Sequence, residues 1–114
     1  MFLFPCHQRN FEELINRDKT HPKDMERNAM FYIFSGNSEL LEKMIVFYDF
    51  DNGMIRTKGL EEVNLSSNAT ALVKLAFNLY NNFDCGTIVD LFANLDDKNS
   101  NLALKAIRLR FAMN

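Results

Sequence analysis

The spacing of its apolar residues constrains this chain more than any other feature of the sequence. They recur every three or four residues over most of its length, which places them along one face of an α-helix. Only four glycines and two prolines interrupt the 114 residues, fewer than a loop-rich or all-β chain needs. The sequence therefore predicts a mainly α fold. Six segments carry the helical pattern, and they begin near Cys6, Pro22, Asn37, Ser66, Gly86 and Asn101.

A proline sets the expected boundary between the first two helices. We expect the first helix at about residues 6–17, followed by a break at Thr20-His21-Pro22, because the residue before a proline avoids helical geometry. Pro22 suits the first position of the second helix, where its missing N–H costs nothing. Thr20 or His21 is then the expected cap, and Gly36 the expected end of that helix.

Polar caps set the expected starts of the later helices. Asn37 or Ser38 is expected to cap the third helix, and the cluster at residues 66–68 to cap the fourth, which runs to about residue 81. The fifth is expected at residues 86–95 and the last at residues 101–112. The residues of the fifth helix expected to face inward are Ile88, Val89, Leu91, Phe92 and Leu95.

Residues 48–66 match the helical pattern least. Asp51-Asn52-Gly53 is a strong turn signal, because Asn-Gly is the commonest pair in a two-residue hairpin turn. One interpretation pairs residues 46–50 with 54–57 as a small β-hairpin packed on the helices, and the other lets the third helix run into a plain loop. Over residues 1–114 we expect a compact single-domain bundle of about five to six helices, with or without that hairpin.

Phenylalanine is unusually frequent, with eleven residues against no tryptophan. A buried Phe ring needs no hydrogen-bond partner. We therefore expect most of these rings to fill the core rather than to form a recognition surface. Phe2, Leu3 and Phe4 leave two interpretations open, either a staple of the first helix to the core or an exposed patch for a partner.

Charge and hydropathy limit the partners and the compartment. The net charge is −2 and the sequence pI about 5.6, whereas a nucleic-acid-binding domain usually carries a basic face. The N-terminal residues lack the pattern of a signal peptide, and no stretch approaches the roughly 20 apolar residues of a membrane span. We therefore expect a cytoplasmic protein that does not bind membranes, and a protein partner rather than nucleic acid.

Metal ligands and nucleophiles are few, namely Cys6, His7, His21 and Cys85. Neighbouring Cys6 and His7 point in different directions on a helix, and no ligand spacing of a metal site is present. We expect no metal and no other cofactor, and we expect both cysteines to be reduced thiols. Cys85 is the better candidate for a reactive thiol, because a helix start near Gly86 would lower its pKa.

The densest polar cluster spans residues 17–27 and contains four candidate binding residues, His21, Asp24, Glu26 and Arg27. As a site, it would be a small acid–base or anion-binding centre with His21 as the titrating group. As structure, it is a charged turn followed by a helix whose first turn carries acids that favour the helix dipole. An enzyme or ligand-binding domain built on this cluster is our alternative hypothesis, since the structural interpretation needs no further assumption.

Three further candidate binding residues, Lys105, Arg108 and Arg110, lie on the last helix with no acid among them. Lys105 and Arg108 are neighbours on one helix face, whereas Arg110 points elsewhere. Cations near a helix C-terminus are favoured by the dipole, and three charges would bind nucleic acid weakly and in a salt-sensitive way. A nucleic-acid-binding regulator is therefore our third hypothesis.

Three strings of residues stand out together along nearly the whole chain. They are His7-Gln8 with Phe11, Glu13-Leu14, Asp18, Thr20-His21-Pro22-Lys23-Asp24 and Glu26-Arg27; Phe31-Tyr32-Ile33 with Ser35-Gly36-Asn37; and the run from Ala71 to Asn82. This combination resembles a family of short proteins of unknown function from Gram-positive, often clostridial, bacteria and their phages or mobile elements. The resemblance assigns no activity and no catalytic residue, and it implies an accessory protein that binds rather than catalyses.

Our leading hypothesis is a non-catalytic protein-interaction module. Its partner would be a bacterial host protein or a second copy of the chain. In one specific form it is a phage- or mobile-element-encoded inhibitor of a bacterial host or defence factor, for example a nuclease. The sequence assigns no catalytic residue to it.

Overall fold

The computed structural model describes residues 2–113, which form eight helices and one small antiparallel sheet. The predicted mainly α fold is therefore confirmed, and so is the optional hairpin. In chain order the elements are α1 (Pro5–Asp18), α2 (Met25–Ser35), α3 (Ser38–Glu42), α4 (Met44–Phe47), β1 (Tyr48–Asp49), β2 (Met54–Ile55), α5 (Gly59–Glu62), α6 (Ser67–Asn81), α7 (Ile88–Ala93) and α8 (Asp97–Arg110).

Helix α2 is the centre of the fold. Residues 28–35 are all buried, and α1, α6 and α8 pack around them. A helix that is buried on every side must satisfy its polar side chains internally. Asn28 does so by donating to the Pro22 carbonyl at 3.2 Å, and Ser35 by donating to the Tyr32 carbonyl at 3.1 Å.

The predicted Phe-rich core is confirmed. Phe31, Phe34, Phe47 and Phe77 have no exposed surface, and the last three rings lie 5.9–6.4 Å apart in tilted and edge-to-face arrangements. Such geometries align the positive ring edge with the negative ring face. Phe111 is an exception, because 59% of its surface is exposed.

The start of α2 corrects the prediction made from Pro22. The helix begins at Met25, and Asp24 caps it by accepting from the Arg27 backbone N–H at 2.9 Å. Pro22 lies in the preceding turn, because both expected caps are engaged elsewhere. Thr20 donates its hydroxyl to Asp18, and the His21 ring accepts from the Lys23 backbone N–H.

The third predicted helix is interrupted. Lys43, with φ −105° and ψ 18°, divides it into α3 and α4, and Tyr48 then begins the hairpin. Tyr48 pairs with Ile55 and Asp49 with Met54, a shorter pairing than the one expected over residues 46–57. The short helix α5 that follows was not predicted.

The prediction for the inward face of the fifth helix was wrong for Ile88 and Val89 and right for the other three residues, since Leu91 is buried and Phe92 and Leu95 pack partly buried against the core. Helix α7 begins at Ile88 under a cap from Thr87, and it packs on α6. Ile88 is 62% and Val89 77% exposed. The helix has only six residues, so it buries Leu91 and leaves its first turn in solvent.

The last helix begins four residues earlier than predicted. Asp96 caps α8 by accepting from the Asn99 N–H at 2.9 Å, and Asn68 of α6 accepts from both the Asp96 N–H and the Asn99 side chain. These contacts across the fold decide where α8 starts. Within residues 2–113, no helix is both long and apolar enough to cross a membrane.

Candidate functional site

The polar cluster at residues 17–27 folds into a network around Arg27. Its guanidinium donates to Asp24 at 3.0 Å, to the Tyr48 hydroxyl at 3.1 Å and to the Gly53 carbonyl at 2.7 Å. Tyr48 in turn donates to Asp18 at 2.6 Å. The Arg27 network, made of Asp18, Asp24, Arg27 and Tyr48, therefore joins the end of α1, the start of α2 and the hairpin.

The surroundings within this network favour a charged Arg27 guanidinium and a neutral Tyr48 hydroxyl. Burial opposes the charge of Arg27, but hydrogen bonds to Tyr48 and Asp24 raise the pKa of Arg27 above its ordinary value. Burial and then the hydrogen bond to the Asp18 carboxylate raise the pKa of Tyr48 to about 12. Three N–H groups of Arg27 and the Tyr48 hydroxyl already donate inside the protein, so these donors would reach a ligand only by giving up internal hydrogen bonds.

The two other candidates of this cluster lie outside the network. His21 is exposed, and its Nδ1 accepts from the Lys23 backbone N–H at 3.0 Å. Glu26 lies 3.6 Å from Arg110 of α8 in an ion pair. The structure thus brings Asp24 and Arg27 together, and it leaves the imidazole of His21 in solvent.

His7 was not singled out as a site by the sequence, and it has the most unusual environment of the ionisable side chains. It is fully buried in α1 beneath Phe2 and Phe4, whose ring centroids each lie 5.1 Å from its own. Its Nδ1 accepts from the Leu3 N–H at 3.2 Å, and its Nε2 lies 3.0 Å from the Tyr32 carbonyl. Because a backbone N–H can only donate, the proton must be on Nε2 and the ring is neutral.

The charge state of His7 follows from this position. Burial lowers the pKa of His7, the hydrogen bond to the Tyr32 carbonyl opposes that effect, and the positive charge of Lys105 lowers it further. Both ring nitrogens are engaged, so His7 fixes Phe2 and Phe4 over the core. Of the two interpretations offered for the N-terminal apolar run, the staple is the one that this geometry supports.

An open cleft of about 430 Å³ lies between α2 and the C-terminal half of α8. We call it the α2–α8 cleft. Met25 and Tyr32 line it from α2, while Lys105, Arg108 and Leu109 line it from α8. Tyr32 is only 1% exposed, and burial raises its pKa to about 12. The cleft therefore has an apolar interior and two cations from one helix.

The chain beyond α8 completes the cleft. The Met113 N–H donates to the Arg108 carbonyl at 2.8 Å, and the Ala112 N–H donates to the Leu109 carbonyl at 3.3 Å. This is the Schellman pattern of a helix end, and it holds Ala112 at φ 52°. The turn returns Met113 towards the helix, where both tail residues line the cleft.

The three predicted cations of α8 have different surroundings. Arg110 is engaged, since it donates to the Leu79 carbonyl at 2.8 Å and pairs with Glu26. Lys105 and Arg108 line the cleft and make no ion pair with any residue in the described range 2–113. Arg110 thus differs from the other two in having partners within the protein.

The two cysteines belong to different parts of the fold, Cys6 to α1 and Cys85 to the segment before α7. Cys6 is exposed and Cys85 half-buried, and both are free thiols. Helix α7 begins at Ile88 rather than at Gly86, so Cys85 precedes its cap and loses the helix-start argument for a reactive thiol. Over residues 2–113, His, Cys, Asp and Glu side chains do not gather in groups of three that could hold a metal ion.

The sequence named Lys105 and Arg108 but missed the cleft itself. Residues 105, 108, 109 and 112 have the spacing of a single helix face, and that face mixes cations with apolar side chains. The sequence therefore contains a signal for the α8 wall of the cleft. It contains none for the opposing wall, because nothing in the sequence indicates that Met25 and Tyr32 lie across from that face.

These features define a class of protein, a small mainly α domain with an apolar cleft edged by two cations. The chain belongs to a family of unknown function (DUF6075), whose model matches residues 1–114. The resemblance noted in the sequence is confirmed to that extent. No curated protein and no solved structure matches the chain.

Proposed function

We propose that this protein is a non-catalytic protein-interaction module whose binding surface is the α2–α8 cleft. The observation that carries the proposal is the pair Lys105 and Arg108, which line an apolar cleft without an acidic partner in residues 2–113. Binding sites combine an apolar interior with a few polar groups that fix orientation.

Exposed apolar side chains on the Arg108 side of α8 support the same proposal. Leu104 is 48% exposed and Phe111 59% exposed, and they lie four residues before and three residues after Arg108. Helical spacing places them along the same side of α8 as Arg108. An apolar surface next to unpaired cations favours a macromolecular partner over a small anion.

The alternative site at residues 20–27 has less support. An acid–base centre needs a titratable group positioned against its partners, and His21 is exposed and makes its contact with its own turn. Asp24 and Arg27 bond to each other and to neighbouring elements. Their arrangement is explained by the stability of the fold.

The specific form that we propose is an inhibitor of a bacterial host or defence factor, such as a nuclease, encoded by a phage or mobile element and acting in the cytoplasm. It is supported by the resemblance to proteins of Gram-positive bacteria and their phages or mobile elements. A binding module without a catalytic centre would act by blocking a surface of its target.

Affinity capture tests the proposal. The tagged chain, incubated with lysates of Gram-positive hosts, should retain one protein in a stoichiometric amount after washing. Its retention should be lost with K105E/R108E and kept with K23E/K58E, which makes the same change in net charge at two exposed lysines elsewhere. Absence of any stoichiometric protein across the hosts would contradict the interaction module.

A further inference from the structure

We infer that the α2–α8 cleft binds a short acidic and apolar segment of a protein partner, with an apolar side chain in the cleft and adjacent carboxylates on Lys105 and Arg108. This inference rests on the proposed function and names the chemistry of the partner.

The first step is the apolar character of the cleft. Its volume of about 430 Å³ falls in the range of pockets that enclose a small ligand or a few side chains. Met25 and Met113 lie on opposite walls, one on α2 and one on the tail. Methionine is unbranched and polarisable, so both walls can adapt to side chains of different shape. The interior suits a large aliphatic or aromatic side chain.

The second step is charge. Lys105 and Arg108 are one turn apart on α8 and line the same cleft, so their positive fields add at its edge. Glu26, next to Met25 in sequence, is the nearest acid on the opposing helix, and Arg110 already pairs with it at 3.6 Å. The positive charge at the cleft is therefore not neutralised by that acid, and a carboxylate is its complement. Arg108 can bind one in a bidentate manner.

The third step is the exposed apolar surface near Arg108. Leu104, Phe111 and Met113 are each about half exposed or more. Met113 lines the cleft, and helical spacing places Leu104 and Phe111 on the same side of α8 as Arg108. A free organic acid would fill the cleft without covering these side chains. A peptide segment with apolar residues on both sides of an acidic one covers them as well.

A nucleic acid fits these features less well. Its phosphates would pair with Lys105 and Arg108, but Arg110, the third cation of the predicted group, is held by Glu26 and the Leu79 carbonyl. Two cations bind a phosphate backbone weakly, and the apolar interior would remain empty unless a base entered it.

Direct binding to a defined peptide tests the inference. The probe is a fluorescein-labelled peptide in which leucine and phenylalanine alternate with glutamate, and polarisation is measured up to about 1 mM protein. We expect saturable binding that weakens as salt rises from about 50 to about 300 mM. The K105E/R108E variant should lose about tenfold or more in affinity, whereas K23E/K58E should bind like the wild type.

A second pair of variants tests the apolar contribution. L104S/F111S should weaken binding several-fold, while I88S/V89S removes a similar exposed apolar surface from α7 and should leave it unchanged. Because all four side chains are exposed, the thermal midpoints of both variants should stay close to the wild type, which separates lost binding from lost folding.

Three results would overturn the inference. They are no binding of the acidic peptide, equal binding of a peptide with lysine in place of glutamate, and tighter binding of a single-stranded oligonucleotide that depends on Lys105 and Arg108. Any of these can occur while the captured host protein is still retained, in which case the interaction module stands and only its cleft chemistry fails. Loss of the captured protein in the wild type would instead count against the module.

Discussion

Two side chains, His7 and Tyr48, show how single residues hold this fold together. Each is fully buried or nearly so, and each has its polar atoms bonded to groups from other parts of the chain. The hydroxyl of Tyr48 accepts from Arg27 and donates to Asp18, whose side chain is 6% exposed. Leaving such a partner unbonded in the interior costs more than the bond itself contributes.

Stability should fall in acid because His7 is buried in its neutral form. The pKa of His7 is lowered in the folded state from its ordinary 6.5, so the unfolded chain binds the proton more readily. Its contribution is fully present above about pH 6.5 and is lost as the pH falls from 6.5 through the lower folded value. Urea unfolding of the wild type and H7F, between about pH 7.5 and 5.5, measures this.

H7F should be less stable than the wild type at neutral pH by about 1–3 kcal/mol, because the part-buried Leu3 N–H loses its partner and the Tyr32 carbonyl loses one of its donors, with Ser35 remaining. The difference between the two proteins should shrink as the pH falls. A constant difference across this range would mean that His7 does not titrate with unfolding.

The hydroxyl of Tyr48 can be removed without its ring. Y48F should reduce the free energy of unfolding by about 1–3 kcal/mol, because Asp18 loses a donor and Arg27 an acceptor in a part-buried site. Tyr80 is the matched control. Its ring lies 5.2 Å from the Arg27 guanidinium, and that contact does not need the hydroxyl. If Y80F costs as much as Y48F in chemical denaturation, the network does not carry the stability assigned to it.

At the scale of elements, the ends of helices carry features that sequence patterns miss. Lys19, Asn82 and Ala112 all have positive φ, each directly at or beyond the end of a long helix. Glycine and asparagine adopt this conformation readily, whereas alanine does so at a cost. Ala112 is therefore strained at the turn that completes the cleft.

Replacing Ala112 with glycine should stabilise the protein. The left-handed conformation costs alanine about 1–2 kcal/mol, and the added freedom of glycine in the unfolded chain returns about 0.4–1 kcal/mol of that. We expect a net gain of about 0.5–1 kcal/mol in thermal or urea unfolding. A93G in α7, where the backbone is helical, should change stability in the opposite direction. If A112G is less stable than the wild type, the claim that Ala112 is strained is wrong.

The close approach of α2 and α8 depends on Gly36. A Cβ on this residue would overlap Leu102 and lie 3.1 Å from the His7 Nε2. G36A should therefore destabilise the protein by about 1–3 kcal/mol, although its φ of −94° suits any residue. In an L102A background the same change should cost less, because the methyl group then has room. Additive losses in this double-mutant cycle would exclude the overlap as the cause.

At the scale of the whole molecule, stability should be greatest at the centre and least at α7. Helix α2 is surrounded by three long helices, whereas α7 buries one residue fully and exposes its first turn. Opening α7 exposes little apolar surface, so it should occur well below the free energy of global unfolding.

Native-state hydrogen exchange measures this order. The amides of residues 30–34 in α2 should exchange only through global unfolding, and those of residues 91–93 in α7 should exchange by a lower-energy opening. In I88S/V89S the rates in α2 should not change, because neither side chain is part of the core. Equal protection of α2 and α7 would contradict this account.

The sequence by itself determined the mainly α fold and the caps at Asn37 and Ser66. Apolar spacing and caps act between residues within four positions of each other, so Asn37, Ser66 and the helix class could be predicted from local chemistry. Its error at Pro22 was local, because Thr20 and His21 bond near their own turn and Asp24 takes the cap. Its errors at Ile88 and at the start of α8 depended on the tertiary structure. The first turn of α7 is left in solvent, and the Asp96 N–H donates to Asn68, 28 residues earlier in the chain.

Only the tertiary structure decided which polar residues form a site. From the sequence, Arg27 could belong to an acid–base centre, but in the structure its guanidinium donates to Tyr48 and Gly53. Lys105 and Arg108 could be explained by the helix dipole, but in the structure they line a cleft together with Met25 and Tyr32. Whether a cation is satisfied depends on what lies opposite it in space. That juxtaposition follows from the packing of helices far apart in the chain, and no local pattern encodes it.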